Sequence, residues 1–241
     1  LVAVAGLAIA SAAHGQVRNW NNALGGNWSL AANWNPTDVP NSTAETASIS
    51  LAGSYTVTLD ASMTIGSYAN TNATATLNIP TGVALATTGG LTNNGVITLN
   101  TTAGASGTSL AVLSSQTLTG TGQLVLNANP ANLDTALVIW NGGGEMLTQT
   151  AGHTIRGTGR IWTRLTNAGL VDADVNGRTL QLGGSFKVNS ALMRARNGGT
   201  LQVSTDITNT GGTIRADGGS VTFDTVTVAD GVVEAINGGS L

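Results

Sequence analysis

A short sequence pattern returns about every twenty residues in the C-terminal third of the chain. Its four copies, each followed by a glycine turn, are Val171–Asp174, Met193–Arg196, Ile214–Asp217 and Val233–Ile236. The first residues of successive copies are 22, 21 and 19 positions apart. A period of this length is typical of solenoids, in which each turn of chain stacks on the turn before it.

Two further patterns recur with the same period. The first consists of Thr179–Leu182, Thr200–Val203, Ser220–Phe223 and Ser240–Leu241. The second is weaker and consists of Phe186 with Val188, then Ile207, then Val226 with Val228. Three short strands in each turn of chain predict an all-β fold, a right-handed parallel β-helix with about 20 residues per coil.

Apolar and polar residues alternate within each strand, so the two sets face opposite sides. Val171, Met193, Ile214 and Val233 are expected to stack into an aliphatic ladder inside the coils. Their neighbours Asp172, Arg194, Arg215 and Glu234 are expected to stack into a charged ladder outside. One coil alone does not bury enough apolar surface to offset the entropy of ordering its backbone, so stability must come from the stack.

Alternating segments extend this pattern toward the N-terminus and begin near residue 45. Internal similarity joins the two halves, since Leu91–Ile97 resembles Leu165–Val171, and Thr117–Leu124 resembles Thr154–Ile161. We therefore expect the β-helix repeat domain to cover residues 45–241 and to stop in the middle of a repeat. That length allows about nine coils, or roughly 40 Å at the spacing of neighbouring strands.

The chain opens with fifteen small and aliphatic residues that carry no charge, residues 1–15. They are too few to cross a bilayer, and small residues suited to signal-peptidase cleavage follow the apolar run. We interpret residues 1–15 as part of a secretory signal peptide, with a mature protein that begins near Ala13 or Gln16. The alternative is a buried core helix.

Composition agrees with an exported β-protein. Only 9% of the residues are charged and the formal net charge is -3, which gives no basic surface for nucleic acid. The chain has no cysteine, so neither a disulfide framework nor a thiolate metal site is expected. We expect no cofactor and no transmembrane segment in the mature chain.

Residues 16–44 differ from the rest, because they are rich in Trp, Asn, Gly and Pro. Trp20, Trp28 and Trp34 lie here. One interpretation is an aromatic platform that stacks on sugar rings. The other is a cap that covers the open edge of the first coil, where unpaired backbone groups would otherwise invite another strand.

The repeats resemble a known class of proteins. Segments of the form T-L-x-G-x-G-x-L and N-x-G-x-I-x-A-x-G-G-x-L, after a G-N-W-S-x-x-x-N-W-x-P segment, are similar to the exported β-solenoid surface proteins of bacteria. That class includes autotransporter-type passengers and proteins with autotransporter-associated β-strand repeats. The resemblance covers most of residues 20–241, and it implies display at the cell surface or release from it, in adhesion, matrix or stalk roles, without shared catalytic residues.

Three other groups of residues could form sites. Asp172–Gly177 matches the start of a calcium loop, but Gly183 stands where a bidentate Glu is required, and the same residues fit a strand and its corner. Arg156, Arg160 and Arg164 could receive anionic sugars or simply be solvated. His153 has no histidine or cysteine partner in the mature chain for a metal or nucleophilic site.

Three functions follow from these observations. The first is a non-catalytic extracellular structural or adhesive protein, a rigid stalk or passenger segment that contacts surface or matrix glycans or proteins. The second is a polysaccharide-binding or polysaccharide-cleaving β-helix, although no pair of carboxylates has a spacing suited to acid and base. The third is an ice-binding solenoid, suggested by Thr56/Thr58, Thr74/Thr76 and Thr225/Thr227. Self-association through the C-terminal edge is also expected.

Overall fold

The computed structural model describes residues 15–140 and 142–241, and in this range the chain forms a parallel β-helix. The predicted signal peptide, residues 1–15, lies outside the described residues except for its last position. Strands on three faces, here called sheets I, II and III, stack upon one another coil by coil. The all-β parallel solenoid expected from the repeat is confirmed.

Sheet I contains one strand from every coil. Its parallel strands are Gln16–Trp20, Glu45–Ile49, Ser67–Asn70, Leu91–Asn93, Gln116–Thr119, Met146–Gln149, Arg164–Asn167, Lys187–Asn189, Ile207–Thr208 and Val228–Ala229. An eleventh strand, Trp34–Asn35, pairs antiparallel with the first. Ten stacked coils span about 40 Å at the usual strand spacing.

Sheets II and III share the strand Thr154–Ile161. Sheet II also contains Gly26–Asn27, Thr56–Thr58, Thr76–Ile79, Val96–Leu99, Gln123–Asn127, Leu170–Ala173, Leu192–Arg196, Thr213–Asp217 and Val232–Ile236. Sheet III also contains Met63–Ile65, Ala84–Thr87, Ser109–Val112, Leu137–Trp140, Thr179–Leu182, Thr200–Val203 and Ser220–Phe223. Two short 3-10 helices, Ala31–Asn33 and Leu133–Thr135, lie in the connections.

The register in sheet II is the one that the repeat predicts. Val171 pairs with Met193, Met193 with Ile214, and Ile214 with Val233. The first three side chains are fully buried, whereas Val233, in the last strand of the stack, is 39% exposed. The second pattern is confirmed in sheet III, where Leu180, Leu201 and Val221 form a buried column.

The third pattern is confirmed only in part. Val228 does pair with Ile207, but the residue that continues this inward column is Lys187, not Phe186 or Val188. Lys187 is fully buried between Leu165 and Ile207, and Phe186 is exposed. A lysine fits here because its Nζ donates to the backbone carbonyls of Thr163 (2.9 Å), Gly183 (2.7 Å) and Ser185. Burial lowers the pKa of Lys187 to about 7.

The first coil begins earlier than the sequence suggested. Gln16–Trp20 pairs in parallel with Glu45–Ile49, so residues 16–44 form the first coil, with strands in sheets I and II but none in sheet III. Arg18 points inward and pairs with Glu45 (Nε to Oε1, 2.8 Å). The antiparallel strand Trp34–Asn35 then covers the free edge of Gln16–Trp20.

Coil length varies more than the C-terminal repeat implies. The register pairs Leu91 with Leu118 and Gln116 with Leu147, which gives coils of 27 and 31 residues. The expected match of Thr117–Leu124 with Thr154–Ile161 is wrong: Thr117 lies in sheet I and pairs with Thr148, whereas Thr154 pairs with Gln123 in sheet II. The longer coils carry extra loop residues that displace the pattern along the sequence.

Replacing Ile214 by Asp tests the inward ladder. An unpaired carboxylate would lie between Met193 and Val233, so the free energy of unfolding should fall by more than about 4 kcal/mol. Val233→Asp is the matched control in the same column, and because Val233 is partly exposed its cost should stay below about 1 kcal/mol. Urea unfolding measures both. Equal losses in the two variants would contradict the register.

Candidate functional site

Trp20, Trp28 and Trp34 form one buried cluster at the N-terminal end. Their exposed fractions are 2%, 0% and 1%, and the Trp34 ring stands edge-on to the other two at centroid distances of 5.1 and 4.7 Å. Each indole Nε1 donates to a backbone carbonyl: of Asn22, Pro40 and Trp28, respectively. These rings offer no open face to a sugar, so a glycan platform at these three residues is wrong. The three rings pack with the first hydrophobic layer of the described coils.

The described charges concentrate on the outer face of sheet II. The column runs Arg156, Asp172, Arg194, Arg215 and Glu234, and its last four members stand in the order expected from the repeat, to which the structure adds Arg156. One member of the column is less exposed to solvent than expected: the Asp172 side chain is only 2% exposed.

Arginine side chains cover two buried carboxylates, Asp172 in this column and Asp174 just after its strand. Asp172 accepts hydrogen bonds from Arg194 Nη2 (3.0 Å) and Arg196 Nε (2.9 Å), and Asp174 accepts from Arg156 Nε (2.8 Å). Arg196 Nη2 also lies 3.4 Å from Asp174. A buried carboxylate requires such partners, because leaving it unpaired costs several kcal/mol, about 3–5 when one partner is removed.

Residues 172–177 do not form a calcium loop. Asp172 lies in a strand with Ala173 inward, and both carboxylates are engaged by arginines rather than directed toward a common point. Within the described residues, no group of three or more His, Asp or Glu side chains is placed to hold a metal ion.

The three arginines considered for anionic sugars have separate environments. Arg156 binds Asp174, and Arg160 forms an ion pair with Asp134. Arg164 is exposed, with Nη1 3.5 Å from the carbonyl of Gly144. Because two of the three are already neutralised and the third belongs to sheet I, they do not form one anion-binding surface.

Stacked amides occupy the corner between sheets I and II. Asn167 Nδ2 donates to Asn189 Oδ1 and Asn189 Nδ2 donates to Asn209 Oδ1, both at 2.7 Å. The residue two places after Asn167 is Gly169, where a Cβ would lie 2.7 Å from the side-chain nitrogen of Gln149. The Asn-x-Gly motif therefore supplies both an amide and the space that the Gln149 amide of the preceding coil needs.

His153 joins two parts of this corner across an intervening coil. Gly120 lies in the coil that follows Asn93, beside Asn93, and it contributes no side chain. The imidazole of His153, one coil further on, therefore extends past Gly120 to Asn93, with 3.2 Å between Nε2 and Nδ2. His153 is fully buried, and its Nδ1 has no hydrogen-bond partner within the described residues. Burial lowers the pKa of His153 to about 4, so the ring is neutral near neutral pH.

The outer face of sheet I holds small, uncharged side chains in two columns. One column pairs Thr117 with Thr148, Thr148 with Thr166, then Val188 and Thr208. The second pairs Ser48 with Ala69, Ala69 with Thr92, and Thr92 with Thr119. Thr150 and Ser190 continue the second column, since their N–H groups bond to Leu118 and Asn167 of the coils below (3.0 and 2.9 Å).

Hydroxyls in the second column are held by the coil below. Thr119 and Thr150 donate to the carbonyls of Leu91 and Leu118 (both 3.3 Å), and Ser190 donates to Asn167 (3.1 Å). The threonine pairs singled out from the sequence do not form such an array: Thr56 pairs with Thr76, but Thr58 pairs with Asn78. Only the register of the folded chain brings Thr117, Thr148 and Thr166 together.

Trp162, which sequence reasoning did not consider, is a partly exposed tryptophan on sheet III. The Arg160 guanidinium lies over this ring, with its carbon 5.1 Å from the ring centroid. The sequence contains a signal for this position: Ile161 is apolar and inward, so alternation predicts that the next residue, Trp162, faces outward.

Over residues 15–140 and 142–241 the surface contains no cavity or cleft, and no helix in that range is long and apolar enough to span a bilayer. Comparison with known protein families, with curated proteins and with solved structures finds no match in any of the three.

The buried His153 predicts a pH dependence of stability. The unfolded chain gains a proton near pH 6.5, whereas the folded chain gains it only near the lowered pKa of about 4. The contribution is fully present above the unfolded pKa and is lost as the pH falls through this window, by roughly 3 kcal/mol in total. Urea unfolding between about pH 7 and about pH 4 measures it.

His153→Gln is the control for this pH dependence, because an amide keeps hydrogen-bonding capacity but does not titrate. The variant should lose most of the decline in unfolding free energy over the same interval. An equal decline in the parent and the variant would show that His153 is not the group responsible.

Proposed function

We propose that this chain is a non-catalytic, exported structural or adhesive protein, a rigid solenoid segment that works at the bacterial cell surface or outside the cell. The observation that carries the proposal is the unbroken stack of ten coils, whose filled core leaves only outer faces for contact. Such a stack holds side chains at a fixed spacing over a long distance, as a spacer or an adhesive surface requires.

Two features of the sequence support export. The apolar run at residues 1–15 has the length and small-residue ending of a signal peptide. The repeats resemble those of autotransporter-type passengers and autotransporter-associated β-strand proteins. The low content of charged residues and the absence of cysteine in the sequence suit a β-protein whose stability comes from its ladders.

Protease treatment of intact source cells tests the proposal. An antibody against residues 16–241 should detect the protein in the culture medium or on the cells, where protease removes it. A cytosolic marker protein in the same cells should stay intact. The exported protein should also begin near Ala13 or Gln16 by mass spectrometry. Retention of the protein with the cytosolic marker would overturn the proposal.

A second candidate function, ice binding, is favoured by the threonine columns of sheet I. Such a surface must be flat, uncharged and regular, because charged groups keep their own hydration shells and break the water lattice. The threonine columns themselves hold no charged side chain and repeat regularly over the coils that contain Thr117, Thr148 and Thr166, and the exposed Arg164, two positions before Thr166, lies at their margin. Their spacing along the stack is that of neighbouring strands, about 4.8 Å, close to a repeat of water molecules in ice.

Thermal hysteresis of the purified chain tests ice binding. The parent should separate melting and freezing temperatures, and Thr148→Lys should reduce the gap several-fold because a charge would stand in the middle of the array. Thr222→Lys is the matched control, since Thr222 is an exposed strand residue on sheet III. No hysteresis in the parent, or equal loss in both variants, would reject this function.

A further inference from the structure

The ring of Trp162 packs against a pair of glycines in the next coil. A Cβ at Gly183 would be 2.6 Å from Cζ3 of the six-membered ring, and a Cβ at Gly184 would be 2.7 Å from Cδ1 of the five-membered ring. The two glycines therefore lie beneath both halves of the indole. The side chain remains partly exposed on the outer face of sheet III.

Polar side chains continue from this ring along the stack. Arg160 pairs in register with Gln181, and Gln181 with Gln202. Gln181 Nε2 donates to Ser204 Oγ (2.9 Å), and both Ser204 Oγ (2.7 Å) and Gln202 Nε2 (2.7 Å) donate to Asp224 Oδ2. We call this set the Trp162 row: Arg160, Trp162, Gln181, Gln202, Ser204 and Asp224.

Two polar atoms beside the indole have no hydrogen-bond partner. They are Arg160 Nε, a donor, and Gln181 Oε1, an acceptor, and the Gln181 residue is only 8% exposed. An unsatisfied buried polar group costs about 1–3 kcal/mol. Both atoms are covered as the side chains now stand, and rotation of the Arg160 and Gln181 side chains is needed to turn them toward a ligand hydroxyl, which can both donate and accept.

We propose that the Trp162 row binds a neutral polysaccharide, with one sugar ring stacked on Trp162 and the following sugars on the glutamines. Aromatic rings with nearby amide and carboxylate groups are suited to sugars, whose C–H faces are apolar and whose rims carry hydroxyls. The coil spacing of about 4.8 Å is close to the length of one sugar in an extended β-1,4-linked chain. The polymer therefore lies along the solenoid axis.

Charge selects a neutral polymer over an acidic one. The single cation of the row, Arg160, is already paired with Asp134, and Asp224 adds a further negative charge. An acidic polysaccharide would meet this carboxylate without a free cation to offset it. The inference rests on the proposed adhesive function, for which it names the ligand class and the site.

Affinity electrophoresis of the purified chain tests this site. Native gels would contain hydroxyethyl cellulose, soluble mixed-linkage β-glucan or, as the acidic counterpart, polygalacturonate. We expect retardation by at least one of the two neutral polymers and none by polygalacturonate. Trp162→Ala should weaken binding about tenfold, and Trp162→Phe should retain part of it because a ring face remains.

Glutamine variants provide the matched comparison. Gln202→Ala should weaken binding a few-fold, whereas Gln123→Ala, at an exposed strand position on sheet II, should leave it unchanged. Unchanged urea midpoints would show that these variants are folded. Three results would overturn the inference. They are no retardation by either neutral polymer, retardation by polygalacturonate instead, and full binding by both Trp162→Ala and Gln202→Ala. The location of the protein on cells is measured separately, so failure here leaves the export proposal standing.

Discussion

Backbone hydrogen bonds between successive coils are the interaction on which this structure depends. Every coil offers its strand N–H and C=O groups to the coils above and below, and no coil satisfies them alone. The bonds fix the coil spacing and force inward residues to stand directly over one another. Each inward column must then be filled by side chains of compatible size, such as Val171, Met193 and Ile214, or by polar groups that satisfy one another, as Asn167, Asn189 and Asn209 do.

The periodic part of this arrangement could be read from the sequence, because period and alternation are local signals. The inward ladder from Val171 to Val233 and the charged column from Asp172 to Glu234 follow directly from spacing. The strand register could not be predicted where loops lengthen the coils, since a step of 31 residues between Gln116 and Leu147 hides the period. The inward position of Lys187 could not be predicted either, because apolar character is the sequence signal of an inward residue. The carbonyls that satisfy this ammonium belong to a turn and a neighbouring coil, which no local pattern reveals.

Candidate sites were harder to predict than strands, because exposure depends on what closes the stack. Trp20, Trp28 and Trp34 have the composition of a sugar platform, yet their rings pack over the core of the first described coil, and Trp34–Asn35 pairs with the edge of Gln16–Trp20. Burying the three indoles stabilises this coil by roughly 1.5–3 kcal/mol for each large side chain, which exposing them to a sugar would forfeit. Trp162 lies in the middle of the stack, where the core is already filled, so alternation leaves its ring outside.

The three outer faces differ in chemistry because the stack constrains only the inner columns. Sheet I carries columns of small uncharged side chains with the exposed Arg164 beside them, sheet II carries ion pairs, and sheet III carries an aromatic ring and amides, although all three have the same backbone pairing. A substitution at an outward position changes neither coil spacing nor core volume, so each face can acquire a binding property at little cost in stability. Such a property resides in a column of residues some twenty positions apart. Its members become neighbours only through the register, and this is why the threonine columns and the Trp162 row emerge from the folded chain and not from any contiguous motif.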